Sequence, residues 1–131
     1  MSHLRVVKPI SLEDLKKFPL IYLASPYTKY PAGLDEAAKE IGRIAANLLL
    51  AGVHAYSPIA YGHELSRHGV DPLDVNIWHG FNDTQLEKSD AIVIARMVGW
   101  QTSDGVAREM KFAEDRRRPL YFIHPDTLEV Y

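Results

Sequence analysis

A serine, an aspartate, a glycine and a glutamate within seven consecutive residues can hold an anion and present a carboxylate to it. Ser103-Asp104-Gly105-Val106-Ala107-Arg108-Glu109 has that composition. The segment follows the apolar run AIVIA at residues 91–95 and a loop, so the pattern predicts a helix that begins beyond the end of a strand. The first-turn N–H groups of such a helix have no partner within it and favour an anion. Ser103 can add a hydroxyl to that nest, and Gly105 permits close approach of a ligand. Glu109 can turn its carboxylate back toward the sheet. A plainer reading makes Ser103 only an N-cap and Glu109 a solvent-facing helix residue.

Two other segments belong at the same end of the sheet, residues 25–33 and 58–63. Open parallel sheets bind ligands beyond the carboxyl ends of their strands. Ser25 and Thr28 offer hydroxyls or backbone donors there. Flat ligands need flat partners, which Tyr27, Tyr61, Trp78 and Trp100 could supply. Trp100, in a loop with little core to fill, is the preferred platform, whereas Trp78 is expected in the core or a subunit contact. The histidines lack metal-ligand spacing, and His63-Glu64 with His68 does not make the zincin pattern. No metal or cofactor is expected. His63 is a weak candidate for ligand contact, and His79 reads as a surface or interface residue.

The elements that would position these residues follow from periodicity. Residues 20–24 (LIYLA) form a short apolar run ended by Ser25-Pro26, a buried strand and loop. Residues 34–51 carry Ala38, Ile41, Ala45, Leu48 and Leu49 on one side of a helix, with Gly52 as its C-cap. A strand over 53–57 ends at Pro58, a short helix fits 62–68, and an imperfect apolar stripe runs from 73 to 89. AIVIA is the central strand, since uninterrupted β-branched content suits burial on both faces. A helix from Ser103 to about Arg116, a strand over 120–123 and a brief strand over 128–131 complete the chain. Arg116-Arg117-Arg118 reads as a solvated helix end. Strands alternating with helices imply an α/β fold, a flavodoxin-like or Rossmann-like three-layer sandwich around a parallel sheet of four or five strands. Strand order is not legible.

The 131 residues fit one domain, 1–131, with 1–18 as an N-terminal preamble. A formal net charge of −2 gives no electrostatic reason to bind nucleic acid or an acidic membrane. The absence of cysteine removes disulfides and thiolate chemistry. No stretch reaches the length of a membrane span and no signal peptide is read, so a cytoplasmic protein is expected.

Ile21-Tyr22-Leu23-Ala24-Ser25-Pro26-Tyr27 resembles the opening of the nucleoside 2-deoxyribosyltransferases. Ser103 to Glu109, with Gly-Val-x-x-Glu at its centre, resembles their nucleophile segment and that of the related deoxynucleoside 5'-monophosphate N-hydrolases. Leu86-x-x-Ser-Asp90 matches their lead-in to the central strand. The likeness spans residues 19–124 and is greatest to a small bacterial and phage branch of this superfamily. It implies that Glu109 attacks the anomeric carbon of a nucleoside or nucleotide, and that Tyr22 helps hold nucleophile and sugar. A second base or water then takes the glycosyl group. The family places an aspartate eight residues before the lead-in aspartate, where this chain has Asn82, with Asp83 beside it. Asp83 is preferred as the assisting carboxylate, with Asn82 the alternative. At position 103 the transferases carry an aspartate that binds sugar and the hydrolases a serine that binds phosphate. Ser103 followed by Asp104 leaves both open. The resemblance also implies a homodimer or higher homo-oligomer, with Trp78, Phe81 and the tail to Tyr131 as contributors. The rival class is a non-catalytic domain that binds or senses a nucleotide or nucleotide-sugar.

Overall fold

The computed structural model describes residues 10–131, so half of the expected preamble lies outside the described residues. Within the rest of it, Ser11 opens a one-turn helix α1 (Leu12–Leu15), and the Asp14 carboxylate accepts the Ser11 N–H at 2.8 Å.

Four strands form one parallel sheet: β1 (Ile21–Ala24), β2 (Ala55–Tyr56), β3 (Ala91–Ala95) and β4 (Leu120–Ile123), in the order β2-β1-β3-β4. Helices α2 (Leu34–Leu50), α3 (Pro58–Ser66), α4 (Val75–Lys88) and α5 (Asp104–Asp115) complete an α/β three-layer sandwich of the Rossmann and flavodoxin-like kind. Period-two alternation divides the core. Ile21, Leu23, Ala91, Val93 and Ala95 pack with Ile41, Ile44 and Leu48 of α2 on one face. Tyr22, Ala24, Ile92 and Ile94 pack with Leu86 of α4 and with Val106 and Ala113 of α5 on the other. Every residue of β1 and β3 is therefore buried, which is why both read as continuous apolar runs.

Several boundaries differ from expectation for local reasons. The second strand is only two residues long. Pro58 does more than end it: Ser57 caps α3 by accepting the Ala60 N–H at 3.1 Å, and Pro58 takes the first helical position, where no N–H is needed. On α2, Ile44 rather than Leu49 completes the buried stripe, and Leu49 is exposed. The tail pairs antiparallel with β4 through an Ile123–Val130 bridge, which covers that edge. The arginine run is not merely solvated: Arg116 and Arg118 pair with Glu87, and Arg118 also donates to the Ser89 carbonyl. It ties the end of α5 to the end of α4. The Leu86-x-x-Ser-Asp lead-in is structural too. Leu86 and Ser89 are buried, and Asp90 accepts the Leu20 N–H at 3.0 Å, aligning the starts of β1 and β3.

The chain switches direction between β1 and β3, so their following loops diverge and open a crevice at the carboxyl end. The two loops come close at Gly99. Gly99 has φ +95°, and a Cβ there would collide with the Lys29 carbonyl oxygen. Gly99→Ala is expected to destabilise the fold by roughly 2 kcal/mol or more, through the left-handed backbone and the backbone clash together. Urea unfolding checks this, and a variant as stable as the parent would show that the loops part without cost.

Candidate active site

A cavity of about 460 Å³ lies at the carboxyl ends of β1 and β2, between the first turn of α5 and the length of α4. That volume suits a nucleoside-sized molecule. Tyr22 ends up in its wall because β1 points alternate side chains toward α5. The loop after β1 adds Ser25, Tyr27 and Thr28. Pro72, Leu73 and Asp74 enter from the loop before α4, and Trp78, His79 and Asn82 come from α4 itself.

Glu109 occupies the same wall. Helical side chains lean toward the N-terminus, so a residue covers the one four positions earlier. A Cβ placed at Gly105 would stand 4.0 Å from Glu109 Oε1 and 3.9 Å from Ser103 Oγ. The carboxylate therefore folds back over Gly105 toward the start of α5, and Glu109 is 9% exposed. Burial pushes its pKa up from 4.5 to about 7, against the opposing pull of Tyr22 and then of Arg108. Removal from water outweighs the favourable neighbours because Arg108 is itself committed, donating to Asp83 at 2.5 Å.

Tyr22 is fully buried. Burial first, and the adjoining Glu109 carboxylate second, hold its phenol far above its ordinary value, so it stays protonated. The hydroxyl interacts with that carboxylate but falls short of a formed hydrogen bond, and it has no other partner among the described residues. Ser25 Oγ and Asn82 Oδ1 are likewise buried without partners among the described residues. Unpaired buried polar atoms cost about 1–3 kcal/mol each and point to an occupant that completes them. Ser103 both caps α5, accepting the Val106 N–H at 3.2 Å, and lines the cavity. The plainer reading of Ser103 is therefore true as far as it goes, while that of Glu109 as solvent-facing is not. The N–H groups of Asp104 and Gly105 stand outside the helical ladder and remain free for a ligand.

The structure thus gathers Tyr22, Ser25, Thr28, Asn82, Ser103, Asp104, Gly105 and Glu109 around one cavity. Two expected residues lie elsewhere. Asp83 faces the groove between α4 and α5, held by Arg108, and Asn82 takes the cavity position instead. One residue along a helix turns a side chain by about 100°, so only one of the two neighbours can face inward. Trp100 packs on Phe122 with ring centroids 5.4 Å apart, and the Arg96 guanidinium lies over both rings. It is spent on that cluster. Trp78 is the tryptophan in the cavity wall, fixed by its Nε1–H donating to the Asp71 carbonyl at 2.8 Å and by edge contacts with Tyr61 and Phe81. Arg108 also lines the cavity, and its place one residue before Glu109 is the one mark of it in the sequence. Among the described residues, no three His, Cys, Asp or Glu side chains converge to hold a metal ion, and no helix is long and apolar enough to cross a membrane.

The family described as "Domain of unknown function (DUF1937)" matches residues 19–124, and the chain belongs to it. No curated protein matches the chain.

The Glu109 carboxyl ionises near 4.5 in the unfolded chain and near 7 in the folded one. Its contribution to stability is therefore intact below about pH 4.5 and is lost as pH rises through 7, a loss on the order of 3 kcal/mol. Glu109→Gln cannot ionise. It is expected to melt several degrees above the parent at pH 8 and close to it at pH 4. Thermal melts across that range check the point, and a constant difference would refute the burial argument.

Proposed function

We propose that this member of the family cleaves the N-glycosidic bond of a nucleoside or nucleoside 5'-monophosphate, with Glu109 as nucleophile. The observation that carries the reading is a buried carboxylate beside a protonated phenol in the wall of a nucleoside-sized cavity. The resemblance noted in the sequence supports the same assignment.

In this reading a Glu109 oxygen attacks the anomeric carbon. The carbon–nitrogen bond breaks, its electron pair leaves with the base, and a glycosyl ester remains. Water or a second base then displaces Glu109. Tyr22 orients the attacking carboxylate and keeps its proton throughout. The indole of Trp78 offers the base a face, replacing Trp100 in that role. The unpaired Ser25 Oγ and Asn82 Oδ1 are placed to meet sugar hydroxyls or base edges. The start of α5 and Ser103 would receive a phosphate. Asp74, Asp104 and Glu109 stand against one committed guanidinium in the lining, so charge ranks an uncharged nucleoside first.

The protein is taken to act in the cytoplasm and to self-associate. Leu73, Val75, Ile77 and Phe81 are exposed along α4 and its lead-in, an apolar face suited to a second copy. Ile77→Asp is expected to shift a dimer toward monomer in sedimentation.

Incubation with nucleosides and 5'-monophosphates, with and without an acceptor base, tests the reaction. Free base without exchange identifies a hydrolase, and a new nucleoside identifies a transferase. The rate is expected to rise with pH through about 7 as Glu109 ionises. Glu109→Ala should lower it by about 10³-fold or more. Cleavage undiminished in that variant, or absent at high enzyme concentration, overturns the reading.

A further inference from the structure

A departing base carries away an electron pair and ordinarily needs a proton. The position from which the resembling families would draw it holds Asn82, which has none to give, and Asp83 is turned away toward Arg108. Of the other titratable groups in the cavity wall, Asp74 is occupied as the cap of α4, accepting the Asn76 N–H at 3.0 Å, and His79 and Asp104 are exposed. Tyr27 is different. It is 8% exposed, and its hydroxyl lies 2.6 Å from His63 Nδ1. The other imidazole nitrogen, Nε2, lies 2.8 Å from Asp35 Oδ1. The His63 side chain is 13% exposed and that of Asp35 is 94% exposed, so the chain of contacts runs from the cavity wall to open solvent.

Three separate elements build this line. Tyr27 follows β1, Asp35 lies in the first turn of α2, and His63 projects from α3. The phenol and imidazole rings meet edge-on at 84°, which sets the hydroxyl against the ring nitrogen. The sequence contained all three residues, but nothing in their spacing joins them.

We propose that Asp35, His63 and Tyr27 form a proton relay that delivers a proton to the leaving base in the cavity. The proposal rests on the glycosidic reading above. Asp35 accepts from Nε2–H in either charge state of the ring. When His63 is neutral, Nδ1 carries a lone pair and accepts the Tyr27 O–H. When His63 is an imidazolium, Nδ1–H donates to the Tyr27 oxygen, and the phenolic proton is free to turn into the cavity. As the carbon–nitrogen bond breaks, its electron pair goes to the base nitrogen, which takes the Tyr27 proton while the Nδ1 proton moves to the Tyr27 oxygen. His63 is left neutral. When water later attacks the glycosyl ester, the reverse transfers restore the imidazolium. Tyr27 is the catalytic residue here, and His63 and Asp35 act through it.

His63 sits in a groove of mixed charge between α2 and α3. Asp35, Glu36 and Lys39 of α2 and Glu64 and Arg67 of α3 line the same groove, and Tyr27 meets the ring from the loop after β1. Burial first, and Asp35 second, raise the Tyr27 phenol above its ordinary value. It therefore holds a proton at rest and passes one only in exchange.

The test compares guanosine with N7-methylguanosine, and 2'-deoxyguanosine with its N7-methyl derivative. An N7-methylated base already carries the positive charge that protonation would give, so it leaves without an acid. His63→Gln and Tyr27→Phe are expected to lower the ratio of unmethylated to methylated rates by about 10²-fold. Equal losses on both substrates would make the cluster merely structural and overturn the relay while leaving Glu109 in place. Base release from no substrate by the parent would instead remove the glycosidic reading and the relay with it. Nitrogen-15 NMR of the free protein adds a readout independent of turnover: neutral His63 is expected with its proton on Nε2, and a proton on Nδ1 would overturn the proposal.

Discussion

The architecture is arranged around a carboxylate withdrawn from water without a cation devoted to it. Glu109 folds back beneath the start of α5, against a phenol that cannot ionise, while the nearest guanidinium belongs to Asp83. Such a group is costly in its charged form, and the sheet must hold it in place regardless. Rigid placement comes from below: Tyr22 is locked in the second layer with Ile92, Ile94 and Val106, and α5 is pinned to α4 through Glu87 and the arginines. A loosely held carboxylate would find water and return to its ordinary acidity.

The crevice itself follows from topology. With β1 and β3 adjacent and their connections running to opposite sides, a crevice opens at the carboxyl ends of these strands. At Gly99 and the Lys29 carbonyl the diverging loops come into close contact. The entrance on the other side is built by α4, whose Trp78 is tethered by one indole hydrogen bond and by aromatic edges.

Residues whose placement depends on their own periodicity were legible in the sequence. The AIVIA strand and the Ser103 cap follow from apolar runs and helix capping, and the structure has each, whereas for Glu109 the sequence left an inward turn and a solvent-facing position both open and only its burial beside Gly105 decides. Positions decided by partners far along the chain were not. Trp100 is claimed by Arg96 and Phe122, and no local pattern announces that cluster. Asn82 and Asp83 are neighbours, and the choice between them depends on the phase of α4 relative to α5, which is set by the Arg108 pair and the packing of Leu86. The brevity of β2 was hidden because Ser57 and Pro58 suit a strand end and a helix start equally well.

The buried hydroxyls and amide that lack partners have a bearing on how this protein would respond to selection. Tyr22 Oη, Ser25 Oγ and Asn82 Oδ1 are each a small loss of stability that an apolar replacement would recover. A laboratory search for heat-resistant variants, made without regard to ligand, would draw on these positions together with Glu109, and on Tyr56 and Arg96, whose buried polar atoms also lack partners among the described residues. It would dismantle the recognition surface while improving the fold, so those enriched sites that line the cavity would trace the outline of whatever it was made to hold.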